Sequence, residues 1–362
     1  MTRRVLVARL DSMGDVLLAG PAVRAVANHA EVVMLCSSRG AAAARMLPGV
    51  SEVLEWDAPW ILDPAPLADS THIAALVTTL TRARVGKAVI LTSFHQSPLP
   101  LALLLRAVGV AHIVAISEDF AGSLLDVRLR PGIDVDEDIP EPERALAVAA
   151  AAGFASADDG RLQVTAPPDT TDLTGDGPYV VLHPGAAVPA RRWPIEGFVR
   201  TARMLTELGR RVVISGGEAE QEFAQEIRRE TPGAIDLTGA CSLPQLAGVI
   251  SRASSIVCGN TGPAHLAAAV GTPVVSLFSP VVPAVRWAPY GVARRLLGDQ
   301  HAPCRDTRAR QCPVPGHPCL SRVRAEEVVR AVLDLEIQTG ADTHVVADPP
   351  QPRKIGDPSC AF

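Results

Sequence analysis

The chain has 362 residues, 48% of them hydrophobic, and a net charge of -5. That length and apolar content allow two α/β domains with a cleft between them, while the acidic balance excludes a general nucleic-acid binder, which needs a basic excess or stripe. Seven cysteines are too sparse for a disulfide scaffold, and their odd number suits a reducing compartment.

The opening Val5-Leu6-Val7-Ala8 is too short for the apolar region of a secretory leader and is interrupted by Arg9 and Asp11, so the chain reads as cytoplasmic. Residues 5–10 are expected as a strand, 16–27 as a helix and 31–36 as a strand, a βαβ opening. Helices are expected at 73–83 and 100–107 and strands at 88–92 and 112–116, giving a parallel sheet covered on both faces. The apolar stretch 99–116 is broken by Arg106, Gly109 and His112, which fits a helix followed by a strand and not a membrane span. Residues 131–142 read as loop and 143–152 as helix.

The segment 167–178, rich in Pro, Asp, Thr and Gly, is expected as a linker between domains at 1–166 and 179–338. Beyond it the βα alternation resumes. Strands are expected at 179–183, 211–215, 255–258 and 274–278, and helices at 195–208, 219–230, 243–251 and after Gly262. Residues 339–362 are Pro-rich and aperiodic and are expected to be disordered.

The first strand runs into Asp11-Ser12-Met13-Gly14-Asp15 and not into a Gly-x-Gly-x-x-Gly fingerprint, which lowers the case for a dinucleotide-dependent dehydrogenase. Gly14 is expected to permit a tight strand-to-helix turn, with Asp15 either facing a cleft at the strand's carboxyl end or serving as a helix N-cap. After the strand at 179–183 come His183-Pro184-Gly185-Ala186 and then Arg191-Arg192-Trp193-Pro194. Free loop N–H groups and guanidinium groups suit a diphosphate; a solvated basic loop anchored by Trp193 is the alternative. Cys258-Gly259-Asn260-Thr261-Gly262-Pro263-Ala264-His265 reads as a strand end turning into a helix with Pro263 at its first position, whose exposed N–H groups attract phosphate. Glu218, Glu220 and Glu222, after Ser215-Gly216-Gly217, compete for the two hydroxyls of a ribose or merely favour a helix N-terminus.

Taken in order, Ser12-Met13-Gly14-Asp15, His183 through Ala186, Arg191 through Pro194 and Asn260 through His265 resemble glycosyltransferase family nine, the heptosyltransferases, over roughly residues 3–335. The resemblance implies an α/β GT-B architecture of two Rossmann-like domains, the first binding acceptor and the second binding a nucleotide-diphosphate sugar, ADP-heptose being the donor expected. It implies Asp15 as general base of an inverting transfer, on a turn with Ser12, Met13 and Gly14. It also implies a donor site of Gly185, Ala186, Arg191, Glu220, Cys241, Asn260, Thr261, Gly262 and His265. Two positions depart from the family pattern: Arg191 stands where Lys is usual, and Asn260 where Asp is.

The implied acceptor is a glycolipid, lipopolysaccharide core or other saccharide, with no nucleic-acid partner and at most peripheral contact with the inner face of the membrane. No cofactor and no metal are expected, since a helix terminus with Arg191 can stabilise a departing diphosphate and no Asp-x-Asp pair stands at a strand end. Cys304, Cys312, His317 and Cys319, preceded by His301, match no common zinc spacing and are expected to be structural or redox-active. A sugar-nucleotide epimerase or hydrolase, and a catalytically silent nucleotide-sugar binder, stay open as alternatives.

Overall fold

The computed structural model describes residues 4–340; the first three residues and 341–362, which hold nearly all of the expected tail, lie outside the described residues. Among the described residues, twelve strands form two sheets. The first takes β1 (Arg4–Arg9), β2 (Glu31–Cys36), β3 (Val50–Glu55), β4 (Lys87–Ile90), β5 (His112–Ile116) and β6 (Val127–Leu129) in the order β3-β2-β1-β4-β5-β6. The second takes β7 (Tyr179–His183), β8 (Arg211–Ile214), β9 (Ile235–Asp236), β10 (Ser255–Gly259), β11 (Val274–Leu277) and β12 (Arg294–Leu297) in the order β12-β11-β10-β7-β8-β9. Every described strand pair is parallel. The chain is therefore of the expected α/β class.

The central strands are near-continuous Val, Leu and Ile runs because helices cover both faces of each sheet; β7 and β10 are buried along their whole length. The edge strands β3, β6, β9 and β12 were not among the expected elements. They are short or carry Glu52, Glu55, Arg128, Asp236, Arg294 and Arg295, and charge at a sheet edge erases the apolar run by which a strand is read. Two sets of hydrogen-bonding and packing contacts mark where the chain crosses between the sheets. The Thr165 N–H donates to the Met46 carbonyl of the first sheet's half, and the Pro168 carbonyl lies where a Cβ on Gly248 of the second half would be.

Three local expectations are corrected. The first helix is two, Met13–Leu18 and Gly20–Ala27, because Pro21 has no N–H to continue the ladder and its ring opposes the carbonyl four residues back. The helix at 143–152 begins earlier, at Glu141, so Glu141 is not in a loop. Pro263 is the second residue of the helix Gly262–Val270, Gly262 being the first. No helix among the described residues is long and apolar enough to cross a membrane.

Candidate active site

In each sheet the strand order reverses beside the first strand of its half: β1 lies between β2 and β4, and β7 between β10 and β8. Loops leaving the carboxyl ends of strands at such a reversal diverge and leave a crevice. The two crevices face one another across a cavity of about 610 Å³.

The helices Met13–Leu18 and Gly262–Val270 start on opposite walls and meet at their N-termini. A Cβ on Gly14 would lie 3.0 Å from His265 Cδ2 and 3.3 Å from the Gly262 Cα, and one on Gly262 would lie 2.0 Å from Met13 Cε. Gly14 was expected to serve a tight turn. It is instead in the first helical turn, where it gives the opposing helix room to approach.

Asp15 follows directly and lines the cavity with Ser12 and Gly14. Its Oδ2 accepts from Ser12 Oγ at 2.9 Å, and its Oδ1 accepts from Arg9 Nη2 at 3.0 Å and from the Trp287 indole N–H at 3.4 Å. The N-cap of this helix is Ser12, so Asp15 is not the cap. Burial alone would raise the Asp15 carboxyl, but the Arg9 guanidinium, the Ser12 hydroxyl and nearby His265 outweigh it and hold the group below the usual carboxylate range. Arg9 is buried between three acids, with Nε 2.8 Å from Asp11, Nη2 on Asp15 and Nη1 3.6 Å from Glu141. Burial pushes the Asp11 and Glu141 carboxyls up, against the pull of Arg9.

The facing wall carries Arg191, Asn260, Thr261, Gly262 and His265. The carbonyl of Arg191 passes so close that a Cβ on Gly259 would lie 2.9 Å from it. Arg191 is half-buried and poorly satisfied: its buried Nε has no partner and Nη1 is 3.5 Å from the Asn260 carbonyl. Burial lowers its pKa, opposed by the charge of Asp15. His265 Nδ1 is likewise buried without a partner, and burial holds that ring neutral, with a pKa of about 4. Beside these two groups stands the start of Gly262–Val270, with no side-chain cap and with the positive end of its dipole toward the cavity lining, although Pro263 has no N–H and the Ala264 N–H donates to the Thr261 carbonyl at 3.0 Å. Arg191 and His265 both line the cavity, and buried polar atoms without partners are costly.

Asn260 does something an aspartate in its place would not. Its Nδ2 donates to the Ser279 carbonyl at 3.3 Å and its Oδ1 accepts from the Ser279 N–H at 3.4 Å. A carboxylate would oppose that carbonyl.

Gly185, Ala186, Glu220 and Cys241 do not line the cavity, and Met13 packs beneath Gly262. Gly185 and Glu220 touch: a Cβ on Gly185 would fall 2.6 Å from the Glu220 side chain, whose Oε2 accepts from the Gly217 N–H at 2.8 Å. Glu218 and Glu222 are exposed. Cys241 is half-buried just before the capping box of helix Leu243–Ser251. His183 is buried against Ser215 Oγ at 3.1 Å and is held neutral by burial. Trp193 is a core anchor, bonded to the Val323 carbonyl and stacked edge-on to Phe198.

Cys304 and Cys319 are buried and Cys312 is half-buried. Burial, then the neighbouring Cys304, raises the Cys319 thiol to about 11. Among the described residues no group of three or more His, Cys, Asp or Glu side chains is arranged to hold a metal ion. The segment braces the Arg191 turn instead, since His317 Nε2 is 3.1 Å from the Ala190 carbonyl and the Ala190 N–H donates to the Arg310 carbonyl.

Sequence reading missed Arg9, Asp11, Ser93, Gln96, Glu141, Phe94, Arg286 and Trp287. Arg9 had a signal, a buried-pattern strand ending in a cation. Asp11 opens the run that carries Asp15, and the remainder come from elements with no local mark of function.

The model of glycosyltransferase family 9 (heptosyltransferase) matches residues 95–317. Lipooligosaccharide heptosyltransferase 2 of Haemophilus influenzae is 31% identical over 119 residues, 31% of this chain and 34% of its own length. Lipopolysaccharide heptosyltransferase 3 of Escherichia coli is 31% identical over 161 residues, 42% of this chain and 46% of its own length. The matched region thus spans between a third and a half of those curated relatives. Among solved structures, a glycosyl transferase family 9 protein of Veillonella parvula aligns with a TM-score of 0.73 at 17% identity, covering 93% of this chain and 97% of that one. The E. coli heptosyltransferase WaaC with ADP-2-deoxy-2-fluoro heptose aligns at 0.69 and 19%, covering 91% and 99%. At these identities the structural likenesses establish the fold.

Proposed function

The chain belongs to glycosyltransferase family 9, the heptosyltransferases, and from that footing we propose that it transfers a heptose-like sugar, with inversion, from a nucleotide-diphosphate donor to an acceptor hydroxyl. The half built on the second sheet holds the donor, for which a relative solved with an ADP-heptose analogue supports ADP-heptose. The half built on the first sheet holds the acceptor, for which lipopolysaccharide-core relatives support a glycolipid or saccharide.

One observation carries the reading. Arg191, His265 and the start of helix Gly262–Val270 lie on one wall of the cavity, with a carboxylate, Asp15, on the other. In the reaction the acceptor hydroxyl loses its proton to Asp15 as its oxygen bonds to the anomeric carbon. The bond from that carbon to the diphosphate oxygen breaks, and the nucleoside diphosphate departs with the electron pair. Charge on the leaving group is met by Arg191 and the helix start, which are in place beforehand and need no reorganisation. Glu220, Gly185, Ala186 and Cys241 lie outside the cavity lining, so we assign them to the more distant nucleoside.

A silent nucleotide-sugar binder had its support in Asn260. The two-way bond to Ser279 gives that residue a structural reason, which favours the active reading. Calorimetry with nucleoside diphosphates and their sugars, in EDTA, tests the donor half. Release of nucleoside diphosphate only with acceptor present tests transfer; conversion without acceptor would favour an epimerase or hydrolase.

A further inference from the structure

Two of the three donors to Asp15 come from its own half of the molecule. Arg9 ends β1 and Ser12 caps the helix that carries Asp15, so both move with the carboxylate. The third comes from across the cleft: the Trp287 indole N–H, 3.4 Å from Oδ1. Trp287 stands on the short helix Ala284–Trp287 of the second half, and its neighbour Arg286 anchors that helix to the first. Arg286 is 4% exposed. Its Nε donates to the Glu137 carbonyl at 2.7 Å, its Nη1 lies 3.7 Å from Glu141, and its guanidinium sits 4.8 Å above the Phe94 ring. Phe94 also packs against the Trp287 ring, with centroids 5.5 Å apart.

We propose, resting on the assignment of Asp15 as base, that Trp287 is a positioning residue, a hydrogen-bond donor supplied by the donor half that orients the Asp15 carboxylate when the two halves meet. With Oδ1 held by Arg9 and Trp287, Oδ2 is the oxygen that receives the acceptor proton. Ser12, which donates to Oδ2, is exposed to the cavity and turns to make way. The pair of electrons from the O–H bond forms the new glycosidic bond, and the pair from the old one leaves on the diphosphate. Separation of the halves removes the indole and leaves Oδ1 with one donor, so the base is fully aligned only when the donor wall faces it.

The charged and titratable groups around Asp15 are Arg9 on β1, Asp11 after it, Glu141 on the helix Glu141–Ala151, Arg191 on the turn after β7 and His265 on the helix Gly262–Val270. Arg286, 3.7 Å from Glu141, also lies 6.0 Å from the Trp287 ring, so the test uses a substitution that keeps an aromatic ring there. Trp287→Phe keeps an aromatic ring against Phe94 and removes the N–H; Trp287→Ala removes both. A positioning role predicts that Trp287→Phe lowers kcat about tenfold, the worth of one hydrogen bond in the transition state. Donor KM and the ADP dissociation constant should stay within about twofold, because the donor contacts are untouched. Loss of a donor to the charged form should also move the acid limb of kcat to higher pH. A packing role predicts that Phe restores what Ala loses, and a Phe variant with wild-type kcat and pH profile would overturn the proposal.

A second measurement does not depend on turnover. The indole ¹⁵N–¹H resonance of Trp287, identified by its absence in Trp287→Phe, should titrate with the Asp15 carboxylate in the wild-type chain and lose that step in Asp15→Asn. An identical titration in both proteins would overturn the contact even in an active enzyme. The expected titration in a protein that shows no transfer would uphold the contact and count against the proposed reaction instead.

Discussion

At the scale of single residues the two walls of the cavity solve opposite problems. Asp15 is surrounded by donors, so its charge is stabilised and its basicity is low; in the proposed reaction the proton transfers as the acceptor oxygen gains bonding to the anomeric carbon and its proton becomes acidic. Asp15→Asn keeps the shape and removes the base. Turnover should fall by about 10²-fold or more with ADP affinity unchanged by calorimetry, and equal turnover would remove Asp15 from the mechanism. Arg191 has the reverse condition, a half-buried cation whose Nε has no partner. Arg191→Ala should weaken ADP binding by about 1.5–3 kcal/mol, the range of a charge-assisted hydrogen bond. Asn260→Asp restores the residue usual in the family but sets a carboxylate against the Ser279 carbonyl. A loss of about 1–3 kcal/mol in denaturant stability is expected, and a more stable variant would show that the Ser279 contact is not what selects asparagine.

At the scale of elements the decisive feature is the approach of two helix starts. Alanine is the better helix former, by about 1 kcal/mol over glycine, so Gly14→Ala should leave thermal stability nearly unchanged. Its Cβ would press on the His265 ring and the Gly262 backbone, which yield only if the helices separate by a few tenths of an ångström. Misplacement of reacting groups is costly in rate. Gly262→Ala clashes with the end of the flexible Met13 side chain and meets the Gly14 backbone only at an ordinary 3.7 Å, so its effect on kcat should be smaller. The reverse order in steady-state kinetics would mean that the crossing is not what these glycines serve. Neither close approach is visible in sequence, where both glycines read as turn formers. The strand-to-helix punctuation around them was legible, because short apolar runs, glycines and N-terminal helix signals act locally.

For the molecule as a whole, two buried neutral histidines tie stability to pH. His183 and His265 are both lowered by burial to about 4 from an ordinary value of 6.5. A folded-state pKa below the unfolded one means stability that is fully present above pH 6.5 and lost as pH falls toward 4, because the unfolded chain binds the protons first. Urea titrations should therefore show a falling unfolding free energy through that window, by on the order of 3 kcal/mol for each ring at most. His183→Gln should flatten part of the slope. A pH-independent free energy between 6.5 and 4 would mean that these rings are not kept neutral by burial.

What the chain determined by itself is what depends on neighbours along it: the βα alternation, the central strands with their uninterrupted apolar runs, and the strand-to-helix junctions at Ser12–Asp15 and Asn260–His265. Those motifs also carried the family resemblance. The edge strands escaped because charged side chains mask their period. The ion network of Arg9, Asp11, Asp15 and Glu141, the Asn260 tie to Ser279 and the Trp287 contact were decided only in the tertiary structure. Each joins residues from separate elements, up to 272 positions apart for Trp287 and Asp15, and nothing in the local pattern of a short helix tells which carboxylate lies across a cleft from it. Spacing along the chain picked out the groups proposed to meet an anion, while the packing of separate elements placed the groups that hold Asp15.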